Sequence, residues 1–124
     1  MIATKNSIIA DKVLRTLIGM VSRNSSSHYS LIVMDSLIGK LKSKYSFLEY
    51  VTINTTSFSS DSEVIIIDSK INSIEPKKVG KAIQELLSCV DEVLGSDREY
   101  FSCEFKGDLG HSFYLKLENM GVKV

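Results

Sequence analysis

Apolar residues recur every three to four positions in two segments near the N-terminus, and this spacing predicts two amphipathic helices. The first helix is expected over residues 7–22, with an apolar face formed by Ile9, Val13, Leu14, Leu17, Ile18, Met20 and Val21. The second is expected over residues 28–44, with a face formed by Leu31, Met34, Leu37, Ile38 and Leu41. The polar break between them is short, which favours an antiparallel helical hairpin. Thr4, Asn6 or Ser7 is the expected cap of the first helix.

The period then changes to that of a β-strand. Residues 48–55 alternate β-branched and aromatic side chains with polar ones, which predicts a strand. Residues 63–68 hold a run that is apolar on both faces, typical of a central or doubly covered strand. The polar segment 57–62 between them predicts a hairpin.

The second face of this strand needs a cover, because two strands alone are marginal in water and one helical layer covers one face only. Strands from the tail, helices wrapped around both faces, or a second copy of the chain would each supply it.

A third helix is predicted from Glu75-Pro76 to a left-handed cap at Gly95. The tail, residues 97–124, fits two templates. As a helix it places Phe101, Phe105 and Leu109 at intervals of four and breaks near residues 107–110, and as a β-hairpin the same region alternates around a turn at 106–111. The helical template accounts for more of the apolar positions. The sequence therefore predicts one α+β domain over residues 1–124, a two-layer α/β sandwich in the order αα-ββ-α-α(α) with a small antiparallel sheet packed against helices.

The half from residue 63 onward carries a resemblance. Its strand Val64-Ile65-Ile66-Ile67-Asp68 and helix opening 73–83, with Leu109-Gly110, Tyr114-Leu115 and Met120-Gly121-Val122 near the end, resemble a group of small uncharacterised archaeal proteins. The resemblance implies a two-layer α/β sandwich with a helical tail. It implies no activity, cofactor or site residue.

Charge and cysteine content limit the classes of function. The chain carries 15 Lys and Arg against 15 Asp and Glu, so it lacks the basic excess typical of nucleic-acid-binding proteins, and a nucleic-acid partner is not expected. Its two cysteines, Cys89 and Cys103, match no zinc or redox spacing and are expected to be free thiols in a reducing, cytoplasmic compartment. The N-terminus shows no signal pattern and no apolar run is long enough for a membrane span. No metal or cofactor is predicted.

Asp108 and His111 are the candidate ligand-site residues. They lie in Gly107-Asp108-Leu109-Gly110-His111, where the glycines let the backbone approach a ligand and the two side chains can titrate together. A turn or helix start with Asp108 as the cap explains the same residues. His28 next to Ser27, with Asp35, is a further arrangement of nucleophilic type, although no nucleophile elbow is present.

Three other groups have ordinary structural explanations beside a functional one. Asp61, Glu63 and Asp68 flank the second strand, where carboxylates could hold a divalent cation, but they lack a calcium-loop register. Cys103 would need a cationic setting to become reactive. Aromatic residues Tyr45, Phe47 and Tyr50 follow the lysines Lys40, Lys42 and Lys44, a combination suited to stacking on single-stranded nucleic acid or to closing a helix end.

The sequence thus supports three hypotheses of different class. The first is a non-enzymatic protein-interaction or regulatory module with a protein partner or a second copy of itself. The second is a small-ligand or enzymatic site near Asp108 and His111, and the third is weak single-strand nucleic-acid binding.

Overall fold

A computed structural model of the chain describes residues 5–23, 25–54, 65–95 and 98–123. Within them five α-helices and a two-stranded sheet follow one another as α1 (Asn6–Arg23), α2 (Ser27–Lys42), a first 3₁₀ helix (Ser46–Tyr50), β1 (Val51–Ile53), β2 (Ile65–Ile67), a second 3₁₀ helix (Ser69–Ser73), α3 (Pro76–Leu94), α4 (Arg98–Leu109) and α5 (His111–Asn119). The fold is mostly helical with a small antiparallel sheet, so the α+β class and the predicted order of elements are confirmed.

Helix α1 lies at the centre of the molecule. It packs against the other four helices, against β2 and against the second 3₁₀ helix. Its predicted apolar face is buried, and Leu17 and Met20 are fully inaccessible to solvent. Because one helix contacts nearly every other element, the core is a single continuous cluster. No helix in the described ranges is both long enough and apolar enough to cross a membrane.

The sheet is shorter than the sequence predicts. Residues 48–50 belong to the first 3₁₀ helix, so the prediction of a strand over 48–55 is wrong at its start, and β1 has three residues. In this 3₁₀ helix Leu48 is buried in the core, whereas Glu49 is exposed to solvent. The predicted turn at 57–62 and the start of the second strand lie outside the described residues.

The two strands pair with Thr52 opposite Ile66 and with Val51 and Ile53 opposite Ile67 and Ile65. Val51, Ile53 and Ile65 face the core, whereas Ile66 on the other face is 51% exposed. Within a single chain the described residues therefore leave Ile66 uncovered, and the alternative of a cover by strands from the tail is wrong because the tail is helical. The helices lie against one face of the sheet, and its second face retains an apolar side chain in solvent.

The tail is helical, as the favoured template predicts. Helix α4 buries Phe101, Phe105 and Leu109, and the chain then turns at Gly110, whose φ of 94° is readily available only to glycine. Upstream, α3 begins at Pro76 and is capped after Leu94 by the left-handed Gly95, both as predicted.

Candidate functional site

A cleft of about 700 Å³ opens between the end of α2, the first 3₁₀ helix and the first turns of α3. Pockets for small ligands typically measure about 300–1,000 Å³, so this cleft has the size of a ligand site. Its lining is formed by Lys44, Tyr45, Ser46, Phe47, Glu49, Tyr50, Ser73, Ile74, Glu75, Lys78 and Lys81. The lining combines aromatic rings with charges of both signs.

The aromatic side of the cleft comes from one short segment. Tyr45 precedes the first 3₁₀ helix, while Phe47 and Tyr50 lie within it. Phe47 is buried and anchors the segment, and the Tyr45 and Phe47 rings are 5.8 Å apart at an angle of 55°. Residues three apart lie on the same side of a 3₁₀ helix, so Phe47 and Tyr50 both reach the cleft, whereas an extended strand would send them to opposite faces.

An ion pair fixes one wall of the cleft. The Lys44 ammonium donates to the Glu85 carboxylate of α3 and lies 5.8 Å from the centre of the Tyr45 ring. The hydrogen bond from Lys44 lowers the pKa of Glu85, and the same bond raises the pKa of Lys44. Burial of the phenol, together with the nearby Glu85 carboxylate, raises the pKa of Tyr45. The positive charge of Lys44 is thus already balanced by the Glu85 carboxylate.

Two further lysines of α3 face the cleft. Lys78 and Lys81 lie one turn apart on α3, and neither makes an ion pair within the described part of the chain. Glu49 and Glu75 line the cleft as well and are likewise unpaired there. The uncommitted charges are therefore two cations on α3 and two carboxylates that can accept hydrogen bonds.

The sequence pattern locates only part of this cleft. Of the predicted aromatic-basic group, Tyr45, Phe47, Tyr50 and Lys44 line it, whereas Lys40 and Lys42 do not. Lys78 and Lys81 were missed because they lie more than 25 positions further along the chain, on the polar face of an ordinary amphipathic helix. No local signal relates that face to the aromatic segment.

Asp108 and His111 occupy different structural settings. Asp108 lies in the last turn of α4 and accepts from Arg23, which also donates to Glu104 at 2.7 Å, so Asp108 joins α4 to the end of α1 and does not cap a helix start. These two acidic partners raise the pKa of Arg23. His111 is the first residue of α5, with its ring 6.4 Å from that of Tyr114. No hydrogen bond joins Asp108 to His111 in the structure as described.

The remaining candidate residues from the sequence lie on α2, at the second 3₁₀ helix and on α4, or outside the described residues. His28 and Asp35 are both exposed on α2, and seven residues of helix separate them by about 10 Å along its axis, too far for a direct hydrogen bond. Asp68 caps the second 3₁₀ helix by accepting from the Lys70 amide at 3.0 Å. Cys103 is exposed on α4. Asp61 and Glu63 lie outside the described residues.

Metal-ligating side chains are not clustered in the part of the chain that the structure describes. Within the described residues, no three His, Cys, Asp or Glu side chains are grouped closely enough to hold an ion. No protein-family model matches the chain, and no curated protein or solved structure matches it either.

Proposed function

We propose that the protein is a non-enzymatic protein-interaction module that pairs with a second copy of itself through helix α2. One observation carries this proposal. Tyr29 and Ile32, one turn apart on the same side of α2, are 50% and 45% exposed. Large apolar side chains on a helix face are a common mark of a protein contact when they are grouped.

The exposed side of α2 has a regular pattern. Tyr29, Ile32, Ser36 and Gly39, together with the C-cap residue Ser43, follow one another at steps of three, four, three and four, and all five are exposed. This is the spacing by which one helix presents a continuous seam to another. We call these five residues the α2 seam. Its N-terminal half is large and apolar, and its C-terminal half is small.

A seam that is large at one end and small at the other is complementary to itself when two copies run antiparallel. With the twofold axis at the level of residue 34, Tyr29 of each copy lies over Gly39 of the other, and Ile32 lies over Ser36. Facing large against small lets the two helices approach and interdigitate. At Gly39 nothing lies within 4 Å of the position a Cβ would take, so the space over it is open to the incoming ring.

The proposal is tested by enlarging the small end of the seam. Gly39→Leu places a side chain where Tyr29 of the second copy is expected, and it should convert a dimer to a monomer without harming the monomer fold. Gly107→Leu is the matched control, because Gly107 is also exposed, helical and unobstructed but lies on α4. Sedimentation equilibrium should show dimers for the wild type and the control and monomers for Gly39→Leu. A monomeric wild type would refute the self-pairing.

The register has its own test. In a background with Cys89 and Cys103 changed to serine, a mixture of Ile32→Cys and Ser36→Cys chains should form a mixed disulfide on mild oxidation. Cysteines placed at His28 and Asp35, beside the α2 seam, should cross-link less. Equal cross-linking of both pairs would argue against the antiparallel arrangement even if the chain dimerises.

Three broader properties belong to the same proposal. A cytoplasmic location is supported by the two free thiols, which persist most readily in a reducing compartment. A two-layer arrangement is supported by the helical packing on one face of the sheet. A binding function is supported by the exposed apolar side chains Tyr29 and Ile32 on α2.

A further inference from the structure

We infer that the cleft beside α3 binds a nucleotide unit, with its base against the Tyr45 and Tyr50 side of the cleft and its phosphate between Lys78 and Lys81. This site is separate from the α2 seam and does not depend on self-association. The inference rests on how the cleft divides its chemistry between two walls.

The aromatic wall suits a planar, weakly polar group. Base–aromatic stacking recurs in proteins that take up nucleotides or single strands, and it tolerates any base since every base has a flat face. Tyr45 is held in place by its contacts with Phe47 and Lys44. An ordered ring loses little side-chain freedom when a ligand packs on it, which favours binding.

The opposite wall suits an anion. Lys78 and Lys81 are neighbours on one helix face, about 5–6 Å apart at their Cβ atoms by helix geometry, close enough for both ammonium groups to reach one phosphate. The start of α3 offers little help from its backbone. Pro76 has no amide hydrogen, and the amides of Lys78 and Val79 both donate to the Glu75 carbonyl. The charge of the phosphate must therefore be met by the two lysine side chains.

The carboxylates of Glu49 and Glu75 favour a ligand that carries hydrogen-bond donors as well as a base and a phosphate. Glu49 and Glu75, which form no ion pair with the described residues, would repel a purely anionic ligand, but they can accept hydrogen bonds from hydroxyl or amino groups. A sugar and the exocyclic amine of a base present such donors. A nucleotide thus matches aromatic, cationic and acceptor groups together, whereas free phosphate matches the lysines alone.

A titration with adenosine monophosphate tests the site. Adenosine and inorganic phosphate, titrated separately, represent the two halves of that ligand, and a short single-stranded oligo(dA) represents its polymeric form. Isothermal titration calorimetry or amide chemical shifts should show that the monophosphate binds more tightly than either half. If oligo(dA) binds more tightly than the monophosphate and its affinity falls steeply with salt, the natural ligand is a single strand. If the two bind with equal affinity, the natural ligand is a free nucleotide. Inorganic phosphate binding as tightly as the monophosphate would overturn the proposal, as would no binding by the monophosphate or the oligonucleotide at millimolar concentration.

Variants then assign the affinity to the two walls. The double change Lys78→Gln and Lys81→Gln should weaken the monophosphate by about tenfold or more while leaving adenosine unaffected. Lys77→Gln is the matched control, because Lys77 is exposed on the same turn and does not line the cleft. Tyr50→Leu should weaken adenosine and the monophosphate alike. If Lys77→Gln weakens binding as much as the double variant, the phosphate is not held in the cleft and the inference fails.

Discussion

The backbone carbonyl of Met120 occupies the position that a side chain on Gly80 would need. Gly80 is a buried residue of α3, and Met120 follows the last residue of α5. The missing side chain lets the end of the chain lie directly against the helix. A backbone group cannot rotate away as a flexible side chain can, so this contact requires glycine at residue 80.

Gly80→Ala should therefore destabilise the protein by about 1–3 kcal/mol, because the added methyl group overpacks the contact with Met120. The intrinsic helix preference works in the other direction, since alanine in a helix interior is favoured over glycine by about 0.5–1 kcal/mol. Gly107→Ala on α4 isolates that preference, because nothing lies near its Cβ position, and it should stabilise the fold. Urea unfolding of both variants checks the contrast. Stabilisation by both would show that the chain end moves away at little cost.

The Gln84 side chain holds the same chain end with two hydrogen bonds. Its amide nitrogen donates to the Lys123 carbonyl at 2.8 Å, and its carbonyl oxygen accepts from the Lys123 amide at 2.6 Å. Gln84→Ala removes both hydrogen bonds and should cost about 1–2 kcal/mol. Amide hydrogen exchange at Val122 and Lys123 should quicken while exchange in α1 stays slow. Unchanged exchange at Lys123 would mean that Gln84 does not fasten this segment.

Much of the fold follows from local patterns, and the exceptions have physical reasons. Helices α1, α2 and α3 lie within two residues of their predicted bounds, since each has an apolar face of helical period and α3 also carries Pro76 and Gly95. The predicted start of the first strand is wrong because the alternation of Leu48, Glu49 and Tyr50 covers only three residues, which fits one turn of 3₁₀ helix as well as a strand. Gly80 gave no signal at all, because its role depends on a residue 40 positions away.

The candidate site was likewise only partly predictable from local sequence patterns. The aromatic segment and Lys44 are contiguous, so their pattern was readable from the sequence. Lys78 and Lys81 reach the cleft only because α3 packs beside the end of α2, a tertiary fact that periodicity does not encode. Asp108 was readable as a polar residue between glycines, but its ion pair with Arg23 joins positions 85 apart.

Asn6 makes another long-range contact that should dominate the stability of the N-terminus. Its buried side-chain amide donates to the carbonyls of Ile71 at 3.0 Å and Ile74 at 2.7 Å. Asn6→Asp replaces a donor to two carbonyls with a carboxylate that accepts only, so it should destabilise by about 2–3 kcal/mol at neutral pH. Ser7→Ala is the control, because Ser7 contacts Asn72 through its backbone amide, which the change retains. Thermal unfolding of the two variants should rank them clearly, and equal losses would contradict this role of Asn6.

The ion pair of Lys44 with Glu85 should give the protein a pH-dependent contribution to stability. The hydrogen bond from Lys44 lowers the pKa of Glu85 below its ordinary value of 4.5, so this contribution is present above that value and is lost as the pH falls through the lowered pKa. On the alkaline side the raised pKa of Lys44 keeps the pair intact to a pH above 10.5. Both side chains are accessible to solvent, so the effect should be small and should shrink in salt. Urea midpoints at pH 7 and about pH 3 should differ less for Glu85→Gln than for the wild type, while Glu92→Gln on the same helix should behave as the wild type. Identical pH dependence of the wild type and Glu85→Gln would show that this pair contributes nothing to stability.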